Sequence, residues 1–204
     1  MKSITTKTTH SALFLTSLSL LSQLFFAGNV LAGESVAKFN ENGELARPTG
    51  YREWIYIGAP LTPNDMNNGK AVFPEFHNVY IDPDSWKHWK KTGEFRNGTV
   101  IVKELVSVGT KSSSSGNGYF MGEYIGLETV VKDTSRFPAS DKHWGFFRFT
   151  TEEHNKLLSK SAVMPSQSCA TCHVTNAKQD AIFTQHYPVL RAGKAKGEQG
   201  TGGK

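Results

Sequence analysis

Cys169-Ala170-Thr171-Cys172-His173 is the stretch of this chain most able to do chemistry. Two thiols separated by two residues can add to the two vinyl groups of a haem. The histidine that follows then falls beneath the iron as an axial ligand. The chain has no other cysteine. In an oxidising compartment two cysteines would ordinarily close a disulfide, but this gap and the adjacent histidine favour haem attachment. A zinc site would need four ligands, and neither a second CxxC nor a His-x-x-x-His pair accompanies this one. A thioredoxin-like redox pair belongs beside a βαβ unit, and no such pattern is present. The expected cofactor is therefore one haem c, bound through Cys169 and Cys172, with its iron held by His173.

The second axial position decides what such a haem does. An electron carrier would fill it with methionine. Beyond the N-terminal segment the candidates are Met66, Met121 and Met164. Met164 comes five residues before Cys169, too near to reach the opposite haem face. Met66 falls in a polar turn, and Met121 in a strand-like run. An open iron position, able to bind small molecules, is the expectation.

Two charged residues stand out. In Thr99 to Val108 one strand face carries Val100, Val102, Glu104, Val106 and Val108, and the other Thr99, Ile101, Lys103, Leu105 and Ser107. Lys103 between Ile101 and Leu105 is unusual, because lysine is rarely buried without a partner. It reads either as a functional amine or as an edge-strand lysine whose head reaches water. Glu128, on alternation, shares a face with Phe120, Tyr124 and Val130. It reads as a poised proton acceptor, its pKa raised by partial desolvation, or as an acid that reaches the rim.

The elements that would position these groups are mostly strands. Thr99 to Val108 and Tyr119 to Val131 form a long hairpin around a loose Ser112 to Gly118 tip. Tyr51 to Ile57, Glu75 to Ile81 and Trp144 to Phe149 read as three more strands. Asp82-Pro83-Asp84 opens a helix that Gly93 closes. A second helix is expected from Thr150/Thr151 to about Ser159, and a third from about Ser168. The fold class is α+β, predominantly antiparallel sheet with a few flanking helices. The haem segment follows the β-rich body, whereas small electron-carrier cytochromes c are all-helical with the motif near the start.

Lys2 and Lys7, the apolar run Ala12 to Ala27, and Val30-Leu31-Ala32 read as a signal peptide cleaved near Ala32. The run is short and broken by polar residues, which disfavours a membrane span. Residues 33–204 then form one domain, located in the periplasm, and residues 193–204 a glycine- and lysine-rich tail. Removing residues 1–32 lowers the formal net charge from +5 to +3. That is far from the dense basic stripe of a nucleic-acid binder, and no membrane association is expected after cleavage.

The chain resembles the cytochrome P-460 family, which also holds the β-sheet cytochromes c prime. The resemblance runs across residues 33–204. It is carried by Gly50-Tyr51-Arg52-Glu53-Trp54, Val79-Tyr80-Ile81-Asp82-Pro83 and Trp89-Lys90-Lys91-Thr92-Gly93-Glu94-Phe95. It continues through Val102 to Gly109, Gly116 to Gly122 and Tyr187-Pro188-Val189-Leu190-Arg191. The resemblance implies a mostly antiparallel β fold, a homodimer and a haem with one open face. It implies that Lys103 is joined through its amine to a meso carbon of the haem, and that Glu128 is a distal carboxylate. The implied activity is oxidation of hydroxylamine to nitrous oxide, through an iron nitrosyl at the level of nitric oxide, with a soluble cytochrome c as electron acceptor. The β-type cytochromes c prime lack the lysine link and bind gases such as nitric oxide or carbon monoxide without this reaction. His77 stands where the nearest relatives are expected to have arginine.

Overall fold

The computed structural model describes residues 35–151 and 156–193, together with Met1. The rest of the segment read as a signal peptide, and the tail beyond Gly193, lie outside the described residues. Five antiparallel strands make the main sheet: β2 (Ile55–Gly58), β3 (Phe76–Ile81), β4 (Val100–Val108), β7 (Met121–Lys132) and β8 (Trp144–Arg148), in the order β2-β3-β4-β7-β8. Two short ladders flank it, β1 (Leu45–Ala46) with β9 (Lys160–Ser161), and β5 (Ser112–Ser113) with β6 (Gly116–Asn117) at the tip of the long hairpin. The helices are α1 (Pro83–Thr92), α2 (Ala170–Asn176) and α3 (Pro188–Ala192). No helix among the described residues is long and apolar enough to cross a membrane.

Period-two alternation divides the core between the two faces of the sheet. On one face Ile55, Ile81, Ile101, Val130 and Phe146 lie directly opposite one another across all five strands. Trp89 of α1, Ala170 of α2, Leu190 of α3 and the Ala181–Ile182 turn pack against this row. The other face carries Val100, Val102, Leu127, Val131 and Phe147, covered by Leu45, Tyr51 and Phe149. Glu104 lies on this second face, buried, and accepts hydrogen bonds from Tyr51 Oη at 2.9 Å, Arg52 Nε at 2.7 Å and Asn78 Nδ2 at 3.3 Å. Burial, reinforced by that bond to Glu104, pushes the Tyr51 hydroxyl far above its ordinary range, so it remains a donor.

Three expectations need correction. Tyr51–Glu53 is a 3₁₀ turn, and β2 starts only at Ile55. Gly50, with φ 67°, sets that turn. Residues 152–155 of the expected second helix lie outside the described residues, but their flanks pair antiparallel. Thr150 bridges Leu157, and the Leu158 N–H donates to the Phe149 carbonyl at 2.7 Å. The described residues at the end of that span, 156–159, are therefore not helical. Finally, strict alternation fails in β7. Leu105 lies opposite Gly126 but Val106 opposite Tyr124, so Ile125 is an extra residue. This bulge reverses the parity at Tyr124, and a second irregularity before the Val108–Met121 pair restores it. Tyr124 therefore belongs to the Glu104 face, where Arg52 stacks on its ring at 5.5 Å, and does not share a face with Glu128. Phe120 precedes β7 altogether.

Helix α1 follows its sequence signals closely. Asp82 caps it through the Ser85 N–H at 2.9 Å, Pro83 takes the first turn, and Gly93 closes it at φ 70°. The buried Asp82 carboxylate also accepts the Val100 N–H at 2.8 Å and faces Arg96 at 3.4 Å. One carboxylate thus joins the helix to the central strand. Asp82→Ala should destabilise the protein by about 3 kcal/mol, combining a lost cap with a stranded buried N–H. Urea unfolding should show the lower midpoint with an unchanged slope.

Candidate haem site

Helix α2 begins at the motif, with Cys169 at its N-cap and Cys172 and His173 within it. The thiols are not joined to each other. Cys172 is exposed and Cys169 half-buried. The His173 ring lies mostly buried between Phe146, at 4.7 Å between centroids, and Phe183, at 4.8 Å. Its Nδ1 sits 2.8 Å from the Ala181 carbonyl oxygen. An acceptor there requires the proton on Nδ1 and leaves the Nε2 lone pair free.

Electrostatics supports the same state. Burial depresses the His173 pKa. The Ala181 bond and Glu128 oppose that fall and the Lys103 charge adds to it, leaving the imidazole neutral at neutral pH. A neutral imidazole oriented by a carbonyl is what an iron ligand must be. The Ala181 carbonyl is presented by a turn in which Asp180 (φ 49°) and Ala181 (φ 58°) are both left-handed. Such a conformation costs about 1–2 kcal/mol for a residue like alanine. It is held by Asp180 Oδ2, which accepts from Lys132 Nζ on β7 at 2.6 Å. Strain of this kind clusters at functional sites.

Adjacent to the apolar row on the same sheet face runs a second row: Val79, Lys103, Glu128 and Arg148, on β3, β4, β7 and β8. Lys103 Nζ lies 2.6 Å from Glu128 Oε2, and Arg148 Nε lies 3.8 Å from Glu128 Oε1. The Phe73 ring covers Lys103 Nζ at 5.0 Å. Glu128 is therefore ion-paired on both sides, not isolated among aromatics as alternation implied. Lys103 is on the third strand of five and partly buried, so it is not an edge-strand lysine.

This charged row reaches the motif. Burial raises the Cys169 thiol pKa, Glu128 raises it further, and Lys103 and Arg148 pull it back. The structure thus brings together Lys103, Glu128, Cys169 and His173, all named from the sequence. It adds Arg148, Phe73, Phe146, Phe183 and the Ala181 carbonyl, which sequence reasoning missed. Arg148 was reachable, since it follows Phe146 by two in a recognised strand. A backbone carbonyl leaves no sequence signal. Of the methionines, Met66 is 75% exposed, and Met121 contacts Asn78 on the opposite sheet face. Met164 packs against the core row. A cavity of about 650 Å³ near Phe39 and Phe137 touches this cluster only at Phe146.

These residues fit a covalently held haem: two free thiols, a neutral histidine with its lone pair unused, and aromatic walls. Replacing Cys169 and Cys172 together by alanine should leave little covalent haem. Haem staining of the denatured protein on a gel checks this, and a full-strength band would remove the two thiols from the site.

A family model described as Cytochrome P460 matches residues 48–184, which include Lys103, Glu128 and the whole of the Cys169–His173 motif. That is well over half of the chain, which therefore belongs to this family and is a haem c protein of that kind. No curated protein matches it.

Proposed function

We propose that this member of the cytochrome P-460 family is an exported, homodimeric enzyme that oxidises hydroxylamine to nitrous oxide and passes the electrons to a soluble cytochrome c. The observation that carries the reading is the Lys103–Glu128 pair at 2.6 Å, set on the sheet face that acts electrostatically on both Cys169 and His173. An amine and a carboxylate in contact there are the two groups the reaction asks of the protein. Two hydroxylamines give one nitrous oxide and one water, with loss of four electrons and four protons. Haem c, which Cys169, Cys172 and His173 would hold, would supply an iron able to bind hydroxylamine and the route for the electrons. Protons would need an acceptor beside the substrate nitrogen, and Glu128, next to Lys103, is the carboxylate we assign to that task.

Lys103 is proposed to be joined to the haem edge through its amine, a C–N bond that replaces one amine N–H and the meso C–H with loss of two electrons and two protons to an external oxidant, and that would tune the macrocycle's electronics and shape. A lysine so joined gives up the ammonium that pairs with Glu128. The carboxylate then keeps Arg148 at 3.8 Å for orientation and gains a free lone pair. Met66 and Met121, one in solvent and one across the sheet, weigh against a carrier with a methionine ligand.

The optical spectrum of the ferrous holoprotein tests the reading first. A lysine-linked haem should show a far-red-shifted Soret band, an unmodified gas binder an ordinary five-coordinate spectrum, and a carrier sharp six-coordinate bands. Replacing Lys103 by leucine should leave the thioethers intact and return the spectrum to that of an ordinary c-type haem, with hydroxylamine oxidation sharply reduced. Peptide mapping decides the point: a haem-linked peptide from residues 99–109 in the wild type that persists in the variant would exclude Lys103. Glu128→Ala should still bind hydroxylamine but oxidise it about a hundred- to ten-thousand-fold more slowly, the usual contribution of a positioned proton acceptor. Glutamine at this position should recover only the hydrogen-bonding part. Stopped-flow spectra with an artificial oxidant separate binding from oxidation, and wild-type turnover in the alanine variant would leave Glu128 no such role.

A further inference from the structure

Lys132 stands at the end of β7, opposite Trp144 of β8 and on the same strand face as Glu128. Its side chain is only 14% exposed. The ammonium donates to Asp180 Oδ2 at 2.6 Å and to the Lys142 carbonyl at 3.2 Å, and it lies 5.2 Å from the centre of the Trp144 ring. Both acceptors belong to left-handed turns. Asp180 and Ala181 have φ of 49° and 58°, and Lys142 and His143 have 56° and 63°. Each turn leads to the haem-binding helix. Ala181 presents its carbonyl to His173 Nδ1 at 2.8 Å. Next to Lys142, the Asp141 carboxylate accepts the Ser166 hydroxyl, and the Ser166 carbonyl accepts the Thr171 N–H at 3.0 Å, between the two cysteines. One ammonium thus connects to the start of α2 and to the histidine within it.

A largely buried ion pair adds little net stability, because desolvation offsets most of its attraction. What Lys132 and Asp180 provide is position. Gln179 Nε2 fixes the entry to the turn on the Gly93 carbonyl at 2.6 Å, at the end of α1. The strained residues come after it, and the Asp180 carboxylate ties them to β7. We propose that Lys132 and Asp180 are positioning residues for the axial histidine: their ion pair aims the Ala181 carbonyl at His173 Nδ1 and so sets the strength of the iron–imidazole bond. A carbonyl held on Nδ1–H makes the ring a stronger donor through Nε2. If the pair is lost, the turn relaxes toward ordinary backbone angles, the carbonyl swings off Nδ1, and the ring donates less to iron. Since β7 also carries Glu128, a single strand then positions the partner of Lys103 and steadies the ligand of the iron. The inference rests on His173 as the iron ligand and is independent of whether the protein oxidises hydroxylamine.

Resonance Raman spectra of the ferrous holoprotein read the iron–histidine stretch directly. They compare the wild type with Lys132→Met, Asp180→Ala, Asp180→Asn, and Lys132→Met combined with Ala181→Gly. Lys132→Met and Asp180→Ala should both move the band to lower frequency. These two variants remove opposite charges, so an effect of the local field on the iron would have opposite signs in them, whereas loss of position has one sign. Asp180→Asn should stay near the wild type, because asparagine tolerates the left-handed region and its amide oxygen still accepts from Lys132. Glycine at 181 takes left-handed angles without a Cβ penalty, so the combined variant should recover much of the shift. The Asp180 side chain is the more exposed of the pair, at 28%, so Asp180→Ala keeps the test open if Lys132→Met does not fold. Single variants whose bands stay at the wild-type frequency, or move in opposite directions, would overturn the inference and leave the haem site standing. A wild type with no iron–histidine band would overturn it together with His173 as the ligand.

Discussion

The register of β4 against β7 sets Lys103 opposite Glu128 and, through β8, places Arg148 beside that carboxylate. Each of these side chains sits on a strand bonded into the same ladder, so their separations are fixed by backbone hydrogen bonds rather than by loops. A slip of one residue would turn Lys103 toward the Val100–Val102 core and bring Glu104 into its place. The apolar row from Ile55 to Phe146 resists that slip, because all five strands would lose their buried face together. Hydrophobic burial in one row therefore specifies the position of charge in the next.

The two faces of the sheet divide the work. On one, Glu104 is closed in by Tyr51, Arg52 and Asn78, a fully bonded carboxylate that ties the N-terminal turn to the central strands. On the other, Glu128 is held by ion pairs, to Lys103 at 2.6 Å and Arg148 at 3.8 Å, rather than by a closed set of hydrogen bonds. Saturated hydrogen bonding makes a rigid anchor, and incomplete bonding leaves valence for something else. The sequence places Lys103 and Glu104 side by side, and only strand parity separates the two roles.

Much of this was legible beforehand, for identifiable reasons. The CxxCH motif, the Asp82–Gly93 helix and the β4 strand each depend on local chemistry, which a single sequence displays. Lys103 was visible as a charge in an apolar strand, although only resemblance separated function from an edge position. The environment of Glu128 was misjudged because alternation assumes an unbroken ladder, and the bulge at Ile125 has no local marker beyond the nearby Gly126. The end of the helix expected after Thr150 shows the same limit, since pairing between Thr150 and Leu157 is a property of two segments and not of either one.

The partner of His173 is a main-chain oxygen, and that has a consequence for how this protein can change over evolutionary time. A side-chain partner can be deleted or strengthened by one substitution, whereas the Ala181 carbonyl persists whatever residue occupies the position. Variation must instead act on the direction in which that oxygen points. The Asp180–Lys132 ion pair and the left-handed turn it holds are the accessible variables. Lineages descending from this sequence would therefore adjust the basicity of the axial imidazole in small increments, through residues that never touch it.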